Sequence, residues 1–397
     1  MMIISAILIF LAFFGAALPV PLLSIIWGDI SDRLTVPVAS VGILRAALAL
    51  GAVLACVFGE KVRERFDETD LTLLGMILEA FSVIGFSLSR LFWNICAWSV
   101  SLGLGLGLTL QLLSLFSVRI GRKKAMAAFA GSAAGVAAGA ELLDVMHRRA
   151  LSWRTDCQLL GLAIVLIVCV LFLVRRSLQQ MAALPEMPAE EEEESRAGTA
   201  AEENPRRACT MFLTVCASAS CLGLASALCV LWSGTYRSLM FDSSAENMEG
   251  EILAFAAALA IGRIAAALLP LRRKAAAAAG LAIAAAALIA SQVLIRQGTP
   301  GREGLLCLTA LTGFGMGPLF PLLLREGRRA GEEDSIFRGL LPAFYLAPWV
   351  LLTPLTQALV GADAVAWYPL PLLILLCLAA PGLLLPWKRK EKAERPG

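Results

Sequence analysis

The chain contains about twelve apolar segments, each long enough to cross a lipid bilayer as a helix. A spanning helix needs about 20 predominantly apolar residues, because the hydrocarbon core of a membrane is roughly 30 Å thick. Inside that core the chain has to satisfy its own backbone polar groups, so such segments fold as α-helices. We predict spans at about 2–27, 36–58, 71–90, 93–117, 125–146, 156–174, 210–236, 250–271, 275–295, 303–324, 338–361 and 366–387.

Composition agrees with this pattern and excludes several classes of protein. Of the 397 residues, 58% are hydrophobic and 16% are charged, and the mean hydropathy is +0.77. Twelve spans with short connections leave no room for a sizeable soluble domain, which excludes a nucleic-acid-binding module. We therefore predict an all-α, multi-pass protein of the cell membrane (inner or plasma membrane), surrounded by lipid and monomeric.

One long polar stretch divides the spans into two groups of six. It holds the acidic run Glu190–Glu194 and three prolines, a composition typical of a disordered linker. We predict an N-terminal six-helix bundle over 1–175, an acidic cytoplasmic linker over 176–208, and a C-terminal six-helix bundle with a short basic tail over 209–397. The second and eighth spans both run into a basic turn, which indicates that the two bundles are pseudo-symmetric.

The distribution of Lys and Arg predicts the topology. With twelve spans, both termini lie on one side, and the loops on that side carry 24 of the 34 basic residues against 8 in the opposite loops. Cytoplasmic loops are enriched in Lys and Arg, so both termini are predicted to be cytoplasmic.

Three charged side chains fall well inside predicted spans and are the first functional candidates, because a charge in hydrocarbon is costly. Glu79 lies near the middle of the third span and suits either proton coupling or a structural role, as a partner of Arg45 or a polar side chain facing a wet cavity. Arg45 suits either an anionic substrate or an ion pair, since guanidinium binds carboxylate and phosphate in a bidentate manner. Arg263 precedes the basic turn at Arg272 and suits gating or structure better than substrate contact.

Other motifs are scarce. Gln111 is an uncharged hydrogen-bonding group in the fourth span, either a cavity contact or polar glue between helices. Gly131, Gly135 and Gly139 recur every four residues, a spacing that favours close helix packing. The chain has no phosphate-binding Gly-Lys-Ser/Thr loop and no metalloprotease, nucleophile-elbow or haem motif, so we predict no enzymatic activity, no cofactor and no metal.

Several local patterns resemble the major facilitator superfamily, and in particular its bacterial sugar and fucose-permease-like branch. The run GFGMGPLFPLLL is similar to the tenth-helix signature of that branch, and its Gly315, Gly317, Pro318 and Pro321 would let the helix approach a neighbour and bend. Gly262-Arg263 looks like the branch's Gly-Arg pair. Trp232 and Tyr236 resemble its Trp-x-x-x-Tyr motif in the seventh helix, and the loop after Gly59 looks like a degenerate form of the loop between helices two and three.

The resemblance implies a major facilitator fold and secondary active transport of a small solute by alternating access, with protons as a possible coupling ion. It also implies that Trp232 and Tyr236 contact the cavity. From its place in the fourth span, we predict Gln111 as a further cavity contact. A different class remains open, because the polar residues expected in spans four, five, eight and nine are largely replaced by Ala. The alternative is a membrane sensor or interaction scaffold that no longer transports.

Overall fold

The computed structural model describes residues 2–37, 40–119, 121–149, 151–182, 205–241, 248–269, 272–297, 301–330, 341–348 and 369–384. Within these ranges the regular structure is helical, with no β-strand. The helices of the first half are α1 Met2–Ala17, α2 Leu22–Ile25, α3 Trp27–Leu34, α4 Val41–Arg63, α5 Glu68–Leu88, α6 Phe92–Arg119, α7 Arg122–Arg148, α8 Trp153–Leu173 and α9 Arg175–Ala182. Those of the second half are α10 Pro205–Phe241, α11 Met248–Leu268, α12 Arg273–Arg296, α13 Arg302–Met316, α14 Leu319–Ala330, α15 at 341–348 and α16 Pro369–Leu384.

Most of the predicted spans are present as helices. In the described part of the chain, ten segments are long and apolar enough to cross a membrane, and α16 is a shorter apolar helix. The predicted eleventh span is described only over α15, and the rest of it lies outside the described residues. The protein is a multi-pass membrane protein.

Side-chain caps begin two of the spans. Asp67 accepts a hydrogen bond from the Thr69 N–H at 2.7 Å before α5, and Ser152 accepts one from the Thr155 N–H at 3.3 Å before α8. Each cap satisfies a backbone donor that the first helical turn leaves without an intrahelical partner. The boundaries of α5 and α8 are therefore local properties of the sequence.

Glycine spacing determines how closely the first-half helices pack. A β-carbon on Gly131, Gly135 or Gly139 of α7 would overlap a backbone carbonyl of α1 or of the turn that follows it, at residues 10, 14 and 18 respectively. The predicted packing role of these glycines is confirmed. In the same way, Gly103 and Gly107 of α6 lie against the backbone of α4.

Three element boundaries differ from those predicted. The first span is interrupted after α1, where Pro19 and Pro21 lack the N–H groups that a continuous helix requires. The second span begins at Val41 rather than at 36. The tenth span is divided into α13 and α14 around Gly317 and Pro318.

The first residues of the predicted linker, 176–182, are helical in the structure. Residues 175–182 form α9, which is held against the start of α5 by an ion pair between Arg175 Nη2 and Asp70 Oδ2 at 2.6 Å. Gln179 adds a longer hydrogen bond to Asp67 at 3.4 Å. Residues 183–204, which contain the acidic run, lie outside the described residues.

The two halves pack against each other chiefly through α7 and α11, which are the fifth and eighth spans along the chain. Within the first half α6 packs between α4 and α5, and within the second half α13 packs against both α11 and α12. A residue on the shared face of α7 and α11 is therefore at the boundary between two separately packed bundles.

Candidate functional site

Arg263 of α11 lies at this boundary and links the two halves. Its side chain is only 6% exposed. Nη1 donates to the Phe129 carbonyl oxygen at 2.6 Å and to Ser132 Oγ at 2.7 Å, both on α7. Nε donates to the Gly317 carbonyl oxygen at 3.1 Å, between α13 and α14. Hydrogen bonds from a charged donor are about twice as strong as neutral ones, so this clamp is a strong point of attachment between the bundles.

The sequence around Gly317 and Ser132 explains why their oxygen atoms are available to accept hydrogen bonds from Arg263. In a continuous helix the Gly317 carbonyl would accept from the N–H of residue 321, but that residue is proline and has no N–H. Pro321 therefore leaves the Gly317 oxygen available to Arg263. On α7, the Ser132 hydroxyl donates to the Phe129 carbonyl at 3.0 Å, which leaves its own lone pairs for the guanidinium.

Close backbone contact brings α11 within reach of this carbonyl. A β-carbon on Gly262 would overlap the Phe314 carbonyl, and one on Gly317 would crowd the backbone of Leu259 and Arg263. On the opposite face, a β-carbon on Gly315 would overlap the backbone of α12. The resemblance predicted that Gly315, Gly317, Pro318 and Pro321 let this segment approach its neighbours and bend. Gly315 and Gly317 lie in close backbone contacts, and the role of the four residues in gating stays a prediction.

A chain of aromatic rings crosses the boundary beside Arg263. Phe13 and Phe129 of the first half have ring centroids 4.6 Å apart, and Phe320 of the second half lies 6.3 Å from Phe129 with its ring perpendicular. Tyr345 of α15 packs on Phe320 with a centroid distance of 4.0 Å. The rings form an apolar contact between the two halves beside Arg263.

Glu79 lies in the interface of α5 with α6. It is eleven residues beyond the start of α5 and fully buried, which places it about 16 Å along a 21-residue helix. Its Oε1 lies 2.9 Å from Thr109 Oγ1, while Oε2 is buried and has no hydrogen-bond partner in the described part of the chain. Thr109 Oγ1 also lies 2.8 Å from the Gly105 carbonyl, so its single proton faces two acceptors.

Arg45 lies nearer the end of its helix than the predicted boundaries implied. Because α4 begins at Val41, Arg45 is only about 6 Å from the helix start. Its Nη2 donates to Ser24 Oγ at 3.1 Å, and its Nε is buried without a hydrogen-bond partner among the described residues. The ion pair with Glu79 that the sequence left open is not formed, since the two residues lie on helices that pack on different sides of α6.

The remaining predicted cavity residues do not lie beside Arg45 or Glu79 in the described part of the chain. Gln111 is buried near the end of α6, where its side chain covers Gly59 of α4. Trp232 and Tyr236 lie in the last third of α10, and their side chains lie outside the described residues. The described part of the chain thus shows Arg45, Glu79 and Gln111 at three separate depths rather than in one pocket.

Sequence reasoning missed four residues that the structure makes prominent. Ser132 and Tyr345 have no signal of their own in the sequence, because each matters only through a partner on another span. Asp156 is buried in the first turn of α8, and both of its carboxylate oxygens have no hydrogen-bond partner within the described ranges. Glu251 is buried three residues after the start of α11. Both acids sit at predicted span ends, where a charge is usually solvated and therefore attracts no notice.

The fold is that of the major facilitator superfamily. The chain is similar to the proton:xylose symporter XylE, whose structure is bound to 6-bromo-6-deoxy-D-glucose, with a TM-score of 0.71 and 13% sequence identity over 96% of this chain and 94% of XylE. It is also similar to a point variant of the fucose:proton symporter FucP of E. coli, with a TM-score of 0.65 and 14% identity over 96% of this chain and 98% of FucP. No family model matches the sequence, and no curated protein matches it by sequence.

The fold class predicted from the sequence, two pseudo-symmetric helix bundles in a major facilitator arrangement, is confirmed by this likeness. The likeness covers nearly the whole of both chains. Low identity means that individual residues do not carry over, and the chemistry of this chain has to be argued from its own side chains.

Proposed function

We propose that this protein is a secondary active transporter that moves a small solute by alternating access of a central cavity to the two sides of the membrane. The observation that carries the proposal is the two-bundle fold shared over 96% of the chain with two sugar:proton symporters. Both neighbours are described as carrying a sugar together with protons, which makes a small polar solute and a proton the first candidates here. These two neighbours do not favour the alternative of a scaffold that no longer transports.

The moving parts in this proposal are the bundles 1–175 and 209–397, joined by the cytoplasmic linker 176–208. Many transporters of this architecture rock two repeats around a site between them. Arg263 is the proposed gate residue, and Gly315, Gly317, Pro318 and Pro321 support its acceptor. With both termini cytoplasmic, Arg263 lies five residues before the cytoplasmic end of α11, so the clamp closes the cytoplasmic side.

Glu79 is the proposed proton carrier. An ionised Glu79 would compete with the Gly105 carbonyl for the one proton of Thr109 and would leave Oε2 without a donor. A protonated Glu79 removes the conflict, because it donates to Thr109 Oγ1 while Thr109 donates to Gly105. A neutral acid at this depth also avoids the large cost of a buried, unpaired charge.

Arg45, Gln111, Trp232 and Tyr236 are the proposed solute contacts. Arg45 has the clearest support, since its buried Nε is a donor without an acceptor among the described residues. A hydroxyl-rich or anionic solute supplies that acceptor. The other three are candidates through the resemblance to the sugar-transporting branch.

The test is uptake into proteoliposomes that carry an imposed pH gradient, with labelled xylose and fucose first and organic acids and drugs next. We expect at least one solute to accumulate when the outside is acidic, and to exchange without a gradient. In Glu79→Gln we expect solute exchange to continue while accumulation is lost. Glutamine cannot bind and release a proton, so solute movement is no longer coupled to proton movement.

A second measurement covers the case in which the solute panel misses the substrate. Spin labels on exposed positions report the distance between the halves on one face with Leu151 and Glu303, and on the other with Phe66 and Lys274. Alternating access requires that one distance increases while the other decreases as pH is changed. No uptake of any solute together with unchanged distances at both faces would contradict the proposed function.

A further inference from the structure

The first half contains a buried acid that neither the clamp nor the proposed proton carrier uses. Asp156, in the first turn of α8, is fully buried, and neither of its carboxylate oxygens has a hydrogen-bond partner in the described part of the chain. Burying an ionised carboxylate without hydrogen-bond donors is costly. Such a group needs either a positive charge close by or a proton of its own.

Two side chains from other helices act on Asp156 electrostatically. One is His147 in the last turn of α7, and the other is Asp29 of α3. His147 Nδ1 lies 3.8 Å from Asp29 Oδ2, and both of these side chains are about half-exposed. The cluster therefore has one buried member and two members that reach water.

Two arginines beside the turn between α7 and α8 are engaged elsewhere. Arg148 forms ion pairs with Asp144 and Glu141 on its own helix. Arg154 donates to the Ser89 carbonyl oxygen at 3.4 Å. Neither these nor the other described arginines donate to the buried carboxylate of α8. The described positive charge that acts on this carboxylate is that of the protonated imidazole of α7.

Little other charge surrounds the cluster. The helix α8 packs chiefly on α5 and α1, and less on α7 and α9. There is no charged side chain in α1, and those of α5, namely Glu68, Asp70 and Glu79, lie between its start and its middle, away from the turn between α7 and α8. The helix α9 follows the opposite end of α8. On α3, Asp32 and Arg33 are both exposed.

We propose that Asp156, His147 and Asp29 form a proton-binding site, in which Asp156 and His147 together take up one proton. Without that proton, two carboxylates lie beside a neutral ring. With it, either the buried acid is neutral or a cation lies beside both carboxylates, so the two groups titrate as a coupled pair. Imidazole gains its proton between about pH 8 and about pH 5, so mildly acid surroundings fill the site. Among the described residues no group of His, Cys, Asp and Glu is arranged to hold a metal ion, which favours a proton as the bound cation.

The position of the cluster connects it with the proposed solute contact. Asp29 lies on α3, and one residue separates α3 from α2, which carries Ser24. Ser24 Oγ accepts a hydrogen bond from Arg45 Nη2 at 3.1 Å. A proton that strengthens the contact between His147 and Asp29 therefore fixes the segment that positions Ser24. This consequence rests on the proposed transport function, whereas the proton site does not.

The first experiment follows the ring of His147, which is the only histidine in the chain and gives one set of signals. The full-length protein, labelled with ¹³C-histidine and purified in detergent through a tag without histidine, is titrated with pH and observed by NMR. In Asp156→Asn we expect the midpoint of the His147 titration to move to a pH lower by about 0.5, because a negative charge that favours the imidazolium is removed. Asp32→Asn, which changes an exposed acid of α3, is the matched control and should leave the midpoint unchanged.

Thermal unfolding in detergent gives a second measurement, which reports on the buried acid itself. At about pH 8 the original protein holds an ionised Asp156 without donors, and at about pH 5 the site holds its proton. The folded protein then binds more protons than the unfolded chain, so its stability increases as pH falls. We therefore expect Asp156→Asn to raise the Tm at the higher pH and to change it much less at the lower pH.

A further variant covers the case in which Asp156→Asn does not fold. Asp29 is half-exposed, so Asp29→Asn is expected to fold, and it should also move the midpoint of the His147 titration to lower pH. The same midpoint in the original protein and in every variant that folds, or a Tm that Asp156→Asn lowers equally at both pH values, would overturn the proton site. A protein that shows these shifts but moves no solute, and shows no change in distance between its bundles, retains the site and loses the proposed function.

Discussion

At the scale of single residues, the protein uses uncharged acceptors where a soluble protein would place ion pairs. Arg263 binds two carbonyls and a hydroxyl, and Glu79 binds a hydroxyl. A buried salt bridge has a large desolvation cost, and breaking it leaves two buried charges. A clamp made from carbonyls leaves only one charge to resolvate when the bundles separate, which suits a contact that has to open repeatedly.

The shape of guanidinium, rather than its charge, is expected to matter at Arg263. In Arg263→Lys the compact ammonium keeps the charge but cannot reach acceptors on α7 and beside α14 together. We expect at least one hydrogen bond to be lost, at about 1.5–3 kcal/mol, and faster hydrogen–deuterium exchange in the segments around Phe129 and Gly317. Arg154→Lys is the control, because that exposed guanidinium donates to Ser89 within one half. If hydrogen–deuterium exchange around Phe129 and Gly317 is the same in both variants, the hydrogen bonds of Arg263 do not hold these segments together.

The contact between Glu79 and Thr109 is expected to contribute to stability directly. Thr109→Val removes the one described hydrogen-bond partner of the Glu79 carboxyl and should lower the free energy of unfolding by about 1–3 kcal/mol. Thr109→Ser retains the hydroxyl and should cost about 0.8 kcal/mol, the value of one methyl group. The measurement is denaturant unfolding in detergent. A Ser variant as unstable as the Val variant would show that keeping the hydroxyl does not preserve the stability, and would contradict the proposed contribution of this hydrogen bond.

At the scale of elements, stability depends on small residues placed where helix backbones meet. Within a membrane there is little hydrophobic drive for helices to associate, so close packing and interhelical hydrogen bonds have to supply it. Glycines of α7 against α1, and of α11 and α13 against each other, provide that closeness. In the tenth span a proline adds a second effect. Pro321 has no N–H to bond the Gly317 carbonyl, and that carbonyl therefore accepts a hydrogen bond from Arg263.

A single added methyl group tests the packing of α1 on α7. In Gly135→Ala the new β-carbon would overlap the Phe14 carbonyl, and we expect a loss of about 1–3 kcal/mol as the two helices are forced apart. Gly304→Ala is the matched control, because that helical glycine faces open space and Ala is a better helix former by up to about 1 kcal/mol. In thermal unfolding in detergent, the Tm should fall in Gly135→Ala and rise in Gly304→Ala.

At the scale of the whole molecule, the boundary between the bundles is where function is expected to reside. The described contacts across it are concentrated on α7, α11 and α14. In the described part of the chain the two bodies meet where α7 packs on α11, beside the hydrogen bonds of Arg263 and the aromatic rings, and we expect them to separate there while each remains packed. Taken together, the helix contacts within each bundle are far more extensive than those between the bundles. This difference favours motion of each bundle as a rigid body over local rearrangement.

Cross-linking tests whether separation at this boundary is required for transport. In a background without the native cysteines, Phe129→Cys with Phe320→Cys joined by a short bifunctional thiol reagent ties the halves together, and we expect solute uptake to fall at least tenfold. Phe13→Cys with Phe129→Cys is the control, since that pair lies within the first half at a similar separation. Uptake that is blocked equally by both cross-links would contradict motion between rigid bundles.

The sequence by itself determined the class of the protein, the division into two groups of spans and the packing role of the glycines in α7. These follow from local properties, because hydrocarbon obliges each span to satisfy its own backbone and glycine spacing is written along a single helix. Pro321 could also have been read locally, as a residue that deprives the Gly317 carbonyl of its helical donor.

Only the tertiary structure decided which groups meet. The sequence suggested Arg45 as a partner for Glu79, but α6 separates them, and Thr109 takes that place. The acceptors of Arg263 come from a distant span and a helix break, and Asp156 meets charged groups from α3 and α7. Hydropathy fixes where a residue lies along a span but not which way its helix is turned, so contacts between spans depend on how all the helices pack together.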